Sequence, residues 1–180
     1  MTMPTVLRKF ALTVHLTCSV GWIGAVAAFL VLVVAAMTSQ DAQTLRACWI
    51  AMDLIGRFAI IPFALASLLT GLVMSLGTKW GLFRHYWVVF SLVLTILATI
   101  VLLENMQTVS YFGRIAFEMD SADLDGLRGG LGSELLHAGF GLLVLIVIQT
   151  LNVYKPQGLT PYGWRKQNET RNPAPQDAAT

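Results

Sequence analysis

The stretch Phe10-Ala-Leu-Thr-Val-His15-Leu-Thr-Cys18-Ser-Val-Gly21-Trp22-Ile-Gly24-Ala-Val-Ala-Ala-Phe29-Leu-Val-Leu-Val-Val-Ala-Ala-Met37 runs for 28 residues without a formal charge. A hydrocarbon core about 30 Å thick is crossed by about 20 helical residues at about 1.5 Å each. This one run is therefore long enough to span a bilayer. It also exceeds the apolar region of a secretory signal, usually about 7–15 residues, and is expected to be a retained span. Three further runs follow. Phe58–Thr78 reaches back through Arg57 and Asp53 to about Ile50; Tyr86–Leu103 and Leu135–Tyr154 come after it. None alternates with period two, which argues against strands. The sequence predicts an all-α fold: an antiparallel bundle of four transmembrane helices at about 10–37, 50–77, 86–105 and 133–154. These form one membrane domain over 1–160, followed by a polar tail over 161–180 expected to be disordered after about Lys166.

Composition agrees. Of the 180 residues 56% are hydrophobic and 12% charged, with a mean hydropathy of +0.66. Soluble chains carry about 25% charged residues, so an ordinary water-soluble enzyme is excluded, and the apolar content excludes disorder. A net charge of +2, with no basic cluster interleaved with aromatics, gives no reason to expect nucleic acid. Cys18 and Cys48 show no CxxC spacing and make no disulfide framework. No nucleophile elbow, P-loop, Rossmann glycine run or HExxH zinc motif is present.

Lysine and arginine placement predicts orientation. Arg8, Lys9, Lys79, Arg84, Lys155, Arg165, Lys166 and Arg171, eight of the twelve basic residues, fall on one side; Arg46, Arg114 and Arg128 fall on the other. Both termini and the second connection are thus expected to be cytoplasmic. The third connection is acidic, with Glu118, Asp120, Asp123 and Asp125. Within it Tyr111–Met119 is expected as a short interfacial helix, and Asp125–Gly132, with four glycines, as a flexible segment. Pro62 is expected to kink the second helix. Small residues at Gly21, Gly24, Ala25 and Ala28 suit close helix contact, and Trp22, Trp49, Trp80 and Trp87 suit interfacial anchoring.

Ionisable residues in membrane spans are the strongest functional pointers. They fall into two groups by depth. The inner group is His15 in the first helix and His85 at the inner end of the third, with Tyr86 at similar depth and Trp22 on the same helix face as His15. Two neutral imidazoles from different helices could ligate a haem iron or a metal; the plainer reading is a hydrogen-bonded His15 and a His85 facing headgroups. The outer group is Asp53 and Arg57, Glu104 with Asn105, and Glu134 with His137. Glu134-x-x-His137 is an (i, i+3) pair of the kind that builds metal sites in bundles. With Glu104 or Asp53 it would offer ligands for zinc, iron or copper. The plainer reading is a structural cluster in which Glu104 or Glu134 neutralises Arg57.

Val14-His15-Leu-Thr-Cys18-Ser-Val-Gly21-Trp22-Ile-Gly24-Ala resembles the opening helix of CopD-like copper-resistance membrane domains, and is similar to the first helix of HemJ-like haem-binding protoporphyrinogen oxidases. Leu76-Gly-Thr-Lys-Trp80-Gly-Leu-Phe-Arg84-His85-Tyr-Trp87 and Asn152-Val-Tyr154-Lys155-Pro156-Gln-Gly158 resemble small uncharacterised bacterial four-helix integral membrane proteins. The resemblance implies a bacterial plasma-membrane location and, from the oxidases, haem b at His15. Those oxidases also carry a lysine early in the third helix; Val88-Val89-Phe90-Ser91 has none, which stands against oxidase activity. From the copper proteins it implies copper, with His15, His137 and Met52, Met106 and Met119 as candidates.

Three functions follow as expectations. The first is a multi-pass membrane protein binding haem b or a transition metal, with His15, His85, Trp22 and Tyr86 around the cofactor. The second is a copper or other ion transport module on Asp53, Glu104, Glu134 and His137. The third is a non-catalytic subunit whose small-residue faces dock a membrane partner or a second copy.

Overall fold

The computed structural model describes residues 3–78, 81–118 and 124–171. Lys79, Trp80, Met119, Asp120, Asp123 and the tail beyond Arg171 lie outside them. Regular structure in the described residues is helical apart from one bridge between His85 and Leu159. The elements are α1 (Thr5–Thr38), α2 (Ala42–Ile55), a π-helical turn (Gly56–Ile60), α3 (Ile61–Gly77), α4 (Tyr86–Glu118), α5 (Leu124–Tyr154) and α6 (Pro161–Arg171). With α2 and α3 continuous through the π turn, four rods are long and apolar enough to cross a membrane.

Local chemistry explains the joints. Asp41 caps α2, its carboxylate accepting from the Thr44 amide at 2.8 Å and the Thr44 hydroxyl at 2.7 Å. Those bonds favour the charged form and hold the Asp41 carboxyl below the usual carboxylate range. Pro62 has no amide hydrogen, and its ring crowds the carbonyl four residues back. The chain answers by widening the preceding turn, so that the Ile61 amide reaches the Gly56 carbonyl.

Cross-helix pairs fix the directions. His15 meets Thr70 and Ser19 meets Ser67. Arg46 meets Ala116 and Asp53 meets Ser110. In each case position rises along one helix as it falls along the other, so α1 runs antiparallel to α3, and α2 to α4.

The rods have 34, 36, 33 and 31 residues, or about 46–54 Å against a hydrocarbon core of about 30 Å. They outrun the expected boundaries. Tyr111–Glu118, expected as a separate interfacial helix, continues α4, and the glycine-rich 125–132 segment, expected to be flexible, lies inside α5. The tail is helical from Pro161 to Arg171, where disorder was expected past Lys166. Tertiary packing overrides glycine's low helix propensity here. Trp49 is fully buried, lies 4.7 Å from the Phe112 ring and donates Nε1–H to the Leu127 carbonyl at 3.1 Å. Gly130 is what lets these rings close on α5: a Cβ there would sit 2.9 Å from Phe112 and 3.2 Å from Trp49.

Packing is uneven along the bundle. Phe29, Val33, Leu45, Trp49, Met52, Met106, Val109, Leu127 and Leu131 make a dense core at the end where α1 meets α2. At the opposite end no residue of α1 before Trp22, and none of α3 after Ser67, is fully buried. The dense end contains the rod extensions that carry Arg46, Arg114, Asp125 and Arg128. Burial of apolar area draws helices together in water and not in hydrocarbon, where the surroundings are equally apolar.

Candidate functional site

The loose end of the bundle encloses a cavity of about 550 Å³ between α1, α3, α4 and α5. Its wall is largely apolar, including Leu12, Leu16, Leu68, Leu92, Leu145 and Ile148. Into it the four helices bring a set of polar side chains: His15 and Ser19 from α1, Ser67 and Ser75 from α3, Ser91 and Thr95 from α4, Gln149 and Asn152 from α5. Arg8, Lys9 and Lys155 line the same cavity at the termini of α1 and α5.

His15 is the only ring nitrogen base in the lining, and its tautomer follows from its partner. Thr70 donates its hydroxyl to the Ala66 carbonyl at 2.6 Å. With that proton committed, Thr70 Oγ1 accepts from His15 Nδ1 at 2.9 Å. A neutral ring protonated at Nδ1 keeps its lone pair on Nε2, the arrangement by which proteins orient a histidine that ligates or takes a proton. Gly71 gives the ring its place: a Cβ there would lie 3.2 Å from His15 Cε1. One turn on, the Ser19 hydroxyl lies 2.8 Å from the His15 carbonyl and 2.9 Å from Ser67 Oγ. Trp22, 3% exposed, lines the cavity beyond them.

The other inner residues do not join. His85 is held in the backbone bridge with Leu159 and does not line the cavity. Tyr86 is 47% exposed, its amide donating to the Gly158 carbonyl at 3.2 Å, and it too stands outside. The reason is helix face: Trp87, Val88, Ser91, Leu92 and Thr95 line the cavity at helical spacing, whereas Tyr86 lies with Phe90 on an exposed face of α4 and His85 precedes the helix. The structure thus does not bring His15 and His85 to one cavity.

The outer group divides in two, with Asp53 and Arg57 apart from Glu104, Asn105, Glu134 and His137. Asp53 pairs with Arg57 at 2.8 Å and accepts from the Ser110 hydroxyl at 2.7 Å. Arg57 is thus neutralised within its own helix, not by Glu104 or Glu134. Glu134 is 0% exposed; its Oε2 accepts from Asn105 Nδ2 at 2.8 Å, and its Oε1 has no hydrogen-bond partner among the described residues. His137 is exposed and turned back on its own helix, with Nδ1 2.9 Å from the Ser133 carbonyl. Glu104 and His137 share a shallow recess with Asn105, Thr108 and Ser133. Among the described residues no three His, Cys, Asp or Glu side chains are grouped to hold a metal. The Glu134–His137 spacing is right for one face only when both side chains point inward, and here one points into the core and the other out.

Thr70, Ser67, Ser19 and Ser91 were not anticipated as site residues. Their signal was hydroxyls recurring at three- and four-residue spacing inside otherwise apolar spans. No protein-family model, no curated protein and no solved structure matches the chain.

Proposed function

We propose that this chain is a multi-pass membrane protein with both termini on the cytoplasmic side, and that it binds haem b in the inner cavity through His15. The orientation rests on eight of the twelve basic residues falling on the side of the termini. One observation carries the binding reading: His15, its Nδ1 committed to Thr70, stands in the wall of a cavity of about 550 Å³. Ligand sites of about 300–1,000 Å³ with apolar walls and few polar groups are the usual form. The residues fit the group. His15 Nε2 would hold the iron, Thr70 would keep the ring oriented, the leucine wall would exclude water, and Trp22 would close the side beyond Ser19 and Ser67. Haem bound there would supply one-electron chemistry.

The test is the absorbance spectrum of the detergent-solubilised protein, expressed with haem available. A Soret band with stoichiometric iron is expected, lost in His15→Ala and kept in His85→Ala. Colourless, iron-free protein refutes the proposal, as does a Soret band that His15→Ala leaves intact.

A further inference from the structure

We infer that the cavity keeps a second place, across from His15, for a small uncharged diatomic molecule on the iron, with the Ser91 hydroxyl as its hydrogen-bond partner; the inference rests on reading the cavity as a haem site held through His15. The helix arrangement is its first support. α1 and α4 both pack against α3 and α5, and they do not touch each other. They therefore stand on the diagonal of the cavity, and each sends a polar side chain into it, His15 from α1 and Ser91 from α4. The two enter at similar depth. Thr70, which His15 meets, lies about 10 Å from the end of α3 at Gly77, and Ser91 about 8 Å from the start of α4 at Tyr86, at about 1.5 Å of rise per residue.

The chemistry of the facing wall is the second support. From α4 the cavity is lined by Trp87, Val88, Ser91, Leu92 and Thr95. Proteins hold haem iron with His, Cys, Met or Tyr, and this wall presents none of them. An iron held by His15 would thus be faced from α4 by no side chain that could take its other axial position. What the wall does present is a hydroxyl with its proton uncommitted. Serine and threonine inside helices commonly spend that proton on a carbonyl three or four residues back. Ser19, Thr70, Thr95 and Thr99 all do so, at 2.6–2.8 Å. Ser91 does not: it is 7% exposed, and its Oγ has no hydrogen-bond partner among the described residues. A buried hydroxyl left unmet is costly. A donor fixed in a dry wall is also what stabilises partial negative charge on a bound molecule. Thr95 cannot take the role, because its proton is on the Ser91 carbonyl. Val88 and Leu92 surround the hydroxyl with aliphatic surface, which admits a small uncharged molecule and penalises a hydrated ion.

The experiment uses the full chain, solubilised in detergent after expression with haem available and reduced with dithionite, and carbon monoxide as the probe. Before the gas is added, the spectrum should be that of five-coordinate, high-spin iron. Carbon monoxide should then bind saturably and shift the Soret band. The infrared stretch of the bound gas reads the hydrogen bond directly, since a donor on its oxygen lowers the frequency. Ser91→Ala should raise that frequency and speed release of the gas about two- to tenfold, the worth of one hydrogen bond. The Soret band of the gas-free protein and the melting temperature should stay at the parent values, which a merely structural role for Ser91 would not predict alongside the frequency change. Thr95→Val, which removes the neighbouring hydroxyl already spent on Ser91, should leave the frequency where it is. Met74 lines the cavity from α3, the helix beside α1, and Met74→Leu should leave the gas-free spectrum five-coordinate. A six-coordinate, low-spin reduced protein that refuses carbon monoxide overturns the inference, and one that Met74→Leu converts to five-coordinate gives the second position to Met74 and overturns it too. An unchanged frequency in Ser91→Ala, or the same rise in Thr95→Val, also overturns it. These results all need a Soret band; its absence overturns the haem reading and this inference with it, and so the two failures are told apart.

Discussion

Replacing Thr70 by valine removes one oxygen and keeps the side-chain shape, which isolates the contact that orients His15. In the structure Thr70 Oγ1 lies 2.9 Å from His15 Nδ1 and 2.6 Å from the Ala66 carbonyl to which it donates. Valine cannot accept, so the Nδ1–H loses its partner, the ring can turn, and the proton can move to Nε2. The bond itself is worth about 0.5–1.5 kcal/mol in net stability. The effect on a ligand held by Nε2 is larger, because both ring direction and tautomer are lost; outer partners of this kind are worth about 10–100-fold in affinity, or about 1.4–2.7 kcal/mol. The assay is a haem titration of the solubilised apo-protein followed at the Soret band, run in parallel on Thr70→Val, Thr70→Ser and His15→Ala. Thr70→Ser keeps the acceptor and should stay near the parent. Thr70→Val should bind about 10–100-fold more weakly with an unchanged melting temperature within a few degrees. Parent-like affinity in Thr70→Val would refute the tautomer argument. Equal loss in Thr70→Val and Thr70→Ser would show that packing, not the hydrogen bond, positions the ring.

Further tests follow from other parts of the molecule. Trp49→Ala empties a fully buried site and removes the indole hydrogen bond to the Leu127 carbonyl; it should cost about 3–5 kcal/mol, read as a lower melting temperature in detergent, while the inner cavity's ligand affinity stays near the parent value. Gly113 lies where a Cβ would come 2.8 Å from Asp53 Cβ, so Gly113→Ala should destabilise by about 1–3 kcal/mol through forced separation of α2 and α4. The Asp41 carboxyl, held low by Thr44, contributes cap stability that is complete above the unfolded carboxylate value of about 4. That contribution is lost as pH falls through the lower folded value. Exchange protection of the Thr44 amide should fall over that acidic range in the parent, and Asp41→Ala should be uniformly low and flat with pH. Sidedness is checked with Cys18 and Cys48 replaced by serine: an impermeant thiol reagent should label Gln40→Cys from outside intact cells and Gln157→Cys only after lysis. The reverse pattern removes the cytoplasmic assignment of the termini.

The four spans were legible in the sequence because a span is a one-dimensional property: an uncharged apolar run, compared with the thickness of hydrocarbon, needs no knowledge of neighbours. The same logic singles out His15 and Trp22, a polar group and an aromatic two turns apart in such a run, and both line the cavity. It failed at the outer ends. Tyr111–Glu118 and the glycines of 125–132 look like loop by local propensity, and become helix only because Trp49, Phe112, Ala116, Leu127 and Leu131 bury one another there. Nor was Arg57's partner evident, since Asp53, Glu104 and Glu134 were all within plausible reach by sequence.

Chain composition and run length decided that this protein is helical and suited to a bilayer, since apolar length and charge spacing act locally. Which polar groups meet was decided only by tertiary structure. Each residue turns the helix by about 100°, so a small change in rotation or height would carry His15 away from Thr70, 55 positions distant in the chain. That same freedom turned Glu134 into the core and His137 out of it, and left His15 facing the cavity while His85 stayed at the helix end.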